Sequence, residues 1–236
     1  MNSIGTIPQP EKGFAMENIM IYHHLGLGDH FICNGLVRYL YESIKPARLY
    51  LPAKKHNFIT VSRMYADLPA IIPLAVNKDK DVGNLLQNSL CNRVIPVGFS
   101  KTRRDFDVSF YETTGVPFCV RWDFFKVVRD GDREKRLEEM VGVKDGDRFI
   151  LINNAGSPGK FNLKTHSDLL KVVVSPLSDC LLDWCSLAEK AEEVHCIDSA
   201  FIHLAQTLNV KRGVFHNIRP TTTKFVLRED WETVDY

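Results

Sequence analysis

Asp29 stands in the stretch HHLGLGDHF, between Gly26 and Gly28 on one side and His30 on the other, with His23 and His24 just upstream. A carboxylate, imidazoles and glycines at the end of an apolar run are what a ligand-binding turn needs. They supply a proton acceptor, polar rings, and backbone that tolerates positive φ and lets a ligand come close. Two roles stay open for Asp29. It can cap the following helix by accepting a backbone N–H, or act as a general base at the carboxyl end of a strand, where open α/β sheets bind ligands. His24 and His30 are candidate ligand contacts in the same turn.

A second turn is HCIDSAFIHLAQTL. Asp198 is placed to cap the helix it precedes, and Ser199 and His203, four residues apart, share one helical face. Backbone N–H groups and a hydroxyl at such a point suit a diphosphate. The same residues also describe a plain capped helix with a buried histidine. The third turn is NNAGSPGKFNLK, where the ammonium of Lys160 can neutralise a phosphate leaving group or simply be solvated. Arg121 lies in the aromatic tract SFYETTGVPFCVRWDFFKVVRD, where rings and guanidinium can hold a sugar or base, or pack.

Several chemistries fit poorly. The first turn lacks the third glycine of G-x-G-x-x-G, Phe31 standing in its place, which weakens a nicotinamide-dependent reading. There is no G-K-[ST] of a phosphate loop, and Ser199 is not in G-x-S-x-G. The six cysteines form no C-x-x-C pair, so a zinc ribbon or thioredoxin motif is not expected; they read as buried free thiols in a reducing compartment. No metal site is expected.

The elements that must carry these turns follow a β–α rhythm. NIMIY is a buried strand feeding a helix from His30 to about Ile44. ARLYLPA, AIIPLAV and NRVIPVGF are further strands separated by helical segments. After the aromatic tract and the polar helix REKRLEEMVGV, a second rhythm begins. RFILINNAG, LLKVVVSP, VHCID and KRGVFHN are its four strands, with CLLDWCSLAEKAEE and SAFIHLAQTLN as helices. This alternation predicts two mostly parallel sheets covered by helices, divided into residues 1–145 and 146–236. The first eighteen residues have no basic start followed by an apolar core, so they read as a loose arm and not a signal peptide.

The bulk numbers agree with a globular chain. Of 236 residues, 44% are hydrophobic and 25% charged, and the net charge is +1. No electrostatic field argues for nucleic acid, and no apolar run approaches the roughly 20 residues of a membrane span.

Two of the turns resemble a known family. GLGDHFICNGLVRYL is similar to the N-terminal G-x-G-D turn of heptosyltransferase-like glycosyltransferases of the ADP-heptose:lipopolysaccharide type. CIDSAFIHLAQTLNVK resembles their C-terminal D-[ST]-G-x-x-H-L-A-x-A-L-G element, with Asp198, Ser199, His203, Leu204 and Ala205 in register. Ala200 replaces the glycine of that element and Asn209 its last glycine. The resemblance implies a GT-B-like α/β fold, two Rossmann-like lobes facing a cleft, with a truncated C-terminal lobe.

It also implies inverting, metal-independent sugar transfer in the cytoplasm, with no cofactor beyond a nucleotide-diphosphate sugar as co-substrate. The acceptor would be a glycan or a lipid-linked molecule, with peripheral membrane association compatible and no integral segment. In this reading Asp29 is the general base and Lys160 the second catalytic residue. Gly26, Gly28, Asp198, Ser199 and His203 bind the donor, and His24, His30 and Arg121 contact acceptor or sugar. A non-catalytic sugar-nucleotide or phosphosugar binding module is the alternative.

Overall fold

The computed structural model describes residues 17–87, 90–98, 105–157, 159–218 and 225–236. The expected N-terminal arm lies almost wholly outside the described residues. The first lobe runs β1 (Asn18–Tyr22), α1 (Leu27–Ile32), α2 (Asn34–Ile44), β2 (Arg48–Lys54), α3 (Phe58–Met64), β3 (Ile71–Val76), α4 (Val82–Gln87) and β4 (Arg93–Pro96). Its four strands are parallel, in the order β3-β2-β1-β4. The helices α5 (Phe106–Glu112), α6 (Val120–Asp123) and α7 (Gly131–Val141) follow.

The second lobe runs β5 (Phe149–Asn153), β6 (Ala155–Gly156), β7 (Gly159–Lys160), β8 (Leu170–Val173), α8 (Cys185–Lys190), β9 (Glu193–Cys196), α9 (Ala200–Ala205), β10 (Gly213–Asn217) and β11 (Trp231–Asp235). Five of these strands form a parallel sheet in the order β11-β10-β9-β5-β8, while β6 and β7 make a small antiparallel hairpin.

The strand orders decide where a ligand can bind. In the first sheet the chain works outward through β2 and β3 and then returns to the other side of β1 to lay down β4. In the second it goes from β5 to β8 and then returns to the other side of β5 with β9. Each reversal opens a crevice at the carboxyl ends of the strands that flank it. The turns after β1, β5 and β9 leave from those crevices, and these are the three turns that the residue types single out.

Two elements differ from the sequence expectation. The helix after the first turn begins at Leu27, breaks at Cys33, where ψ is −1°, and resumes as α2. The second lobe has a fifth strand, β11, which the polar segment WETVD conceals because it is an edge strand buried mainly at Trp231. Gly213 of β10 makes room for that indole: a Cβ there would stand 2.3 Å from the ring. The helix α7, on the first-lobe side of the expected division at residue 145, reaches elements of the second lobe with its side chains. Arg133 bonds Asp183 at 2.8 Å and also Asp179, and Glu138 accepts from Ser186 and Lys190.

One buried apolar cluster runs through both lobes, from Ile21, Phe31 and Leu36 through Phe110 and Tyr111 to Leu182, Trp184, Phe201 and Leu204. The lobes are therefore packed together beneath the cleft. Burial of side chains of this kind contributes roughly 1.5–3 kcal/mol each. Of the cysteines, Cys33, Cys180, Cys185 and Cys196 are buried as expected, whereas Cys119 is exposed and Cys91 half-buried; none is disulfide-bonded.

Candidate functional site

The turn after β1 is tighter than its glycines suggest. Gly26 is in extended conformation (φ −67°, ψ 146°) and caps α1, and neither it nor Gly28 uses positive φ. Asp29 is not the cap itself. It sits one turn in, and its Oδ2 accepts from the Gly26 N–H at 3.1 Å. A Cβ on Gly26 would stand 2.6 Å from that oxygen, so a side chain there would require the Asp29 carboxylate to move from its bond to the Gly26 N–H.

Gly28 has a different task. A Cβ there would lie 3.2 Å from Cδ2 of His203 and 3.6 Å from Cα of Ala200, so α1 and α9 pack directly on each other at this residue. The turn after β1 and the turn after β9, about 170 residues apart in the chain, thus meet face to face. With Ala200 in place of a glycine on α9, Gly28 supplies the close approach from the other side.

Between these turns lies a cleft of about 540 Å³, a size suited to a small-molecule ligand. Gly26, Gly28, Asp29, Asp198, Ser199 and His203 all line it. The sequence reading missed Asn153, Lys54, His56 and the two rings Phe106 and Phe225, which line it too. Asn153 was legible in principle, as a polar residue at the carboxyl end of a buried strand in the NNAG turn.

Burial raises the carboxyl group of Asp29 from an ordinary 3.8 to about 7, with the bond from Gly26 opposing the rise and the neighbouring Asp198 adding to it. Lys54, the lysine among the described residues that line the cleft, is ion-paired to Asp79 at 3.0 Å.

On the opposite wall Ser199, not Asp198, caps α9, its Oγ accepting from the Phe201 N–H at 3.3 Å. The Ser199 hydroxyl donates its proton to Oδ1 of Asn153 at 2.5 Å. A hydroxyl has one proton to donate, so while this bond holds Ser199 cannot also donate to a phosphate. The carboxamide of Asn153, its oxygen occupied, keeps its Nδ2 donor for the cleft.

Four expected site residues are elsewhere. Lys160 is exposed on β7, outside the cleft wall, because the hairpin presents its Ala155–Ser157 side to the cleft. His30 is fully buried and stacks edge-on against the buried His23, with ring centroids 4.5 Å apart; α1 turns it inward beneath the helix. Burial holds the imidazole of His30 well below its ordinary range and brings that of His23 down to about 4. His24 is exposed and sits beside Phe106 and Phe110, off the cleft lining, with Nε2 at 3.3 Å from the carbonyl of Gly98. Arg121 is 1% exposed and contacts no ligand space: it is paired with the fully buried Asp107 and donates to Nδ1 of His203 at 3.2 Å.

Among the described residues no three His, Cys, Asp or Glu side chains converge as a metal site would require. No helix of the described residues is long and apolar enough to cross a membrane.

No protein-family model matches the sequence, and no curated protein matches it. Solved structures do. ADP-heptose lps heptosyltransferase II of E. coli is similar over 93% of this chain and 90% of its own, with a TM-score of 0.60 at 11% identity. The glycosyl transferase family 9 structure from Veillonella parvula DSM 2008 is similar over 93% of this chain and 85% of its own, with a TM-score of 0.58 at 9% identity. The iron-containing dodecameric glycosyltransferase TibC from enterotoxigenic E. coli H10407 is similar over 85% of this chain and 58% of its own, with a TM-score of 0.54 at 12% identity. The chain thus has the fold of the heptosyltransferase-like, GT-B type glycosyltransferases, two parallel βα lobes around one cleft, in 236 residues.

Proposed function

We propose that the protein transfers a sugar from a nucleoside-diphosphate sugar to a hydroxyl of a glycan or lipid-linked acceptor, with inversion at the anomeric carbon. The observation that carries this reading is the meeting of Asp29 with the Asn153–Ser199 pair across one cleft, each leaving the carboxyl end of a central strand. The fold likeness supports the same class of chemistry.

In the reaction, the carboxylate of Asp29 takes the proton of the acceptor hydroxyl as that oxygen attacks the anomeric carbon. The bond from that carbon to the diphosphate oxygen breaks, and its electron pair leaves with the nucleoside diphosphate. Neutral donors preset toward the leaving oxygens stabilise the charge that develops there; Nδ2 of Asn153 is one. Each such donor is worth roughly 2–4 kcal/mol of barrier, and the base about 10²–10⁴-fold in rate. Asp29 suits the role because its carboxyl titrates near neutrality, where a base is both available and effective. The metal-independent part of the reading rests on the sequence resemblance alone, and turnover unaffected by EDTA tests it.

The experiment is a panel of nucleotide sugars incubated with glycan and lipid-linked acceptors, scored for release of nucleoside diphosphate, with wild type and Asp29→Asn side by side. Turnover by wild type and a loss of at least about a hundredfold in the variant support the reading. Thermal stabilisation by nucleotide sugars with no turnover on any acceptor would instead identify a binding module, which the engagement of Lys54 by Asp79 favours, since it leaves less positive charge for a leaving group.

A further inference from the structure

The buried ion pair beside the cleft has no place in the chemistry above, although it reaches the site through one side chain. Arg121 and Asp107 are 1% and 0% exposed, and neither lines the cleft. Asp107 also accepts from the Val226 N–H at 3.0 Å and the Val108 N–H at 3.0 Å. Burial pushes its carboxyl up and the guanidinium down, each opposing the other. A guanidinium keeps its charge in proteins and has donors only, so the pair stays ionised.

The backbone of Arg121 is fixed as well. Gly35 of α2 lies against α6 so closely that a Cβ there would stand 2.3 Å from the carbonyl oxygen of Val120 and 3.1 Å from Cα of Arg121. The guanidinium packs over the Trp122 ring, 4.3 Å from its centroid. Little in this arrangement can shift.

From this fixed position Arg121 donates to Nδ1 of His203 at 3.2 Å. A donor-only partner requires the lone pair of Nδ1, which leaves the ring proton on Nε2. Burial and the adjacent Arg121 charge also keep the ring neutral, well below its ordinary range. The edge bearing Cδ2 and Nε2 lies against Gly28 on the cleft wall. Of the charged groups, Arg121 bears on this ring directly, with Asp107 behind it, while Asp29 on α1 and Asp198 ahead of its own helix line the same cleft.

We propose that Arg121, backed by Asp107, is a positioning residue that holds His203 in the Nε2–H tautomer, so that the ring presents the cleft with a fixed neutral hydrogen-bond donor. The ligand chemistry this selects is an anionic oxygen acceptor such as a diphosphate, and in that part the inference rests on the function proposed above. A neutral donor neither adds a charge to be released with the product nor takes a proton from Asp29.

The test is ¹⁵N–¹H NMR of the histidine rings in the ligand-free protein between pH 5.5 and 8.5, with His203 assigned by His203→Gln. The expected result is one neutral Nε2–H ring, unchanged across the range. An Nδ1–H ring, or protonation within that range, overturns the proposal. The double substitution Arg121→Met with Asp107→Leu removes both charges and leaves no unpaired ion; it should reduce the Nε2–H excess by at least about tenfold, the bias a hydrogen bond from a charged donor sets. Arg121→Lys, which keeps a cationic donor, should restore part of it. An unchanged tautomer ratio in the double variant overturns the role of Arg121.

Addition of ADP or UDP reads the functional reading separately. A shift of the His203 Nε2–H signal upon binding supports it. No shift, with the tautomer result intact, leaves the positioning role standing and counts against nucleotide binding at this wall.

Discussion

Asp29→Asn separates the two properties that the structure gives to Asp29. The amide keeps an oxygen to accept from the Gly26 N–H at 3.1 Å while removing the charge. In the folded chain the carboxyl group titrates at about 7 against an ordinary 3.8, chiefly through burial. The folded state therefore holds this proton over a window in which the unfolded state has lost it. Between pH 3.8 and 7 the folded state binds more protons, so the contribution of Asp29 to stability declines as pH rises through that window. At 1.36 kcal/mol per pH unit the full difference is ~4 kcal/mol. Water on the cleft side screens the charge, so ~2–4 kcal/mol is expected. Urea unfolding of both proteins at intervals from pH 4 to 8.5 measures it. The free energy of wild type minus variant should fall by that amount with increasing pH and level off near 7.5, leaving the variant the more stable protein at pH 8 and inactive in sugar transfer. In wild type, turnover should rise about tenfold per pH unit below 7 and then flatten. Parallel stability curves for the two proteins would show that Asp29 is solvated and ordinary, and the base assignment would lose its physical ground.

Gly28→Ala inserts a methyl group 3.2 Å from Cδ2 of His203. Crowding of His203 by ~1–2 kcal/mol outweighs the ~0.5–1 kcal/mol that Ala gains over Gly inside a helix, so a net loss of up to ~1 kcal/mol is expected in thermal melts, together with a clear loss of nucleotide affinity. Ser199→Ala removes the cap on the Phe201 N–H and the proton donor to Asn153. About 1 kcal/mol of stability should go, and the KM for donor should rise more than kcat falls, because the freed carboxamide can then turn. Lys160→Ala, on the exposed hairpin, should leave stability within about 0.5 kcal/mol and turnover close to wild type; a large loss of turnover would bring that lysine back into the site.

What the sequence disclosed and what it concealed follow from the range of the forces involved. The β–α rhythm was readable because periodicity is local: buried strands such as FILIN, exposed nowhere along their length, announce themselves. The two glycine- and serine-bearing turns were readable because strand end, small residue and helix start are adjacent in the chain. Tertiary context decided the rest. WETVD does not look like a strand until Trp231 finds the space above Gly213. Arg121 has the composition of a sugar contact, and no pattern in its own segment says that Asp107, fourteen residues earlier, neutralises it inside the protein. Nor does the sequence around His203 reveal that an arginine 82 residues away takes one of its nitrogens. Ser199 is the sharpest case. Its type and place suggested a hydroxyl for phosphate, yet the proton goes to Asn153, so the donor facing the cleft becomes a carboxamide from a different turn. A site of this kind is assembled from one local signal per strand end, while the hydrogen-bond directions that settle each residue's role come from partners the chain delivers from elsewhere.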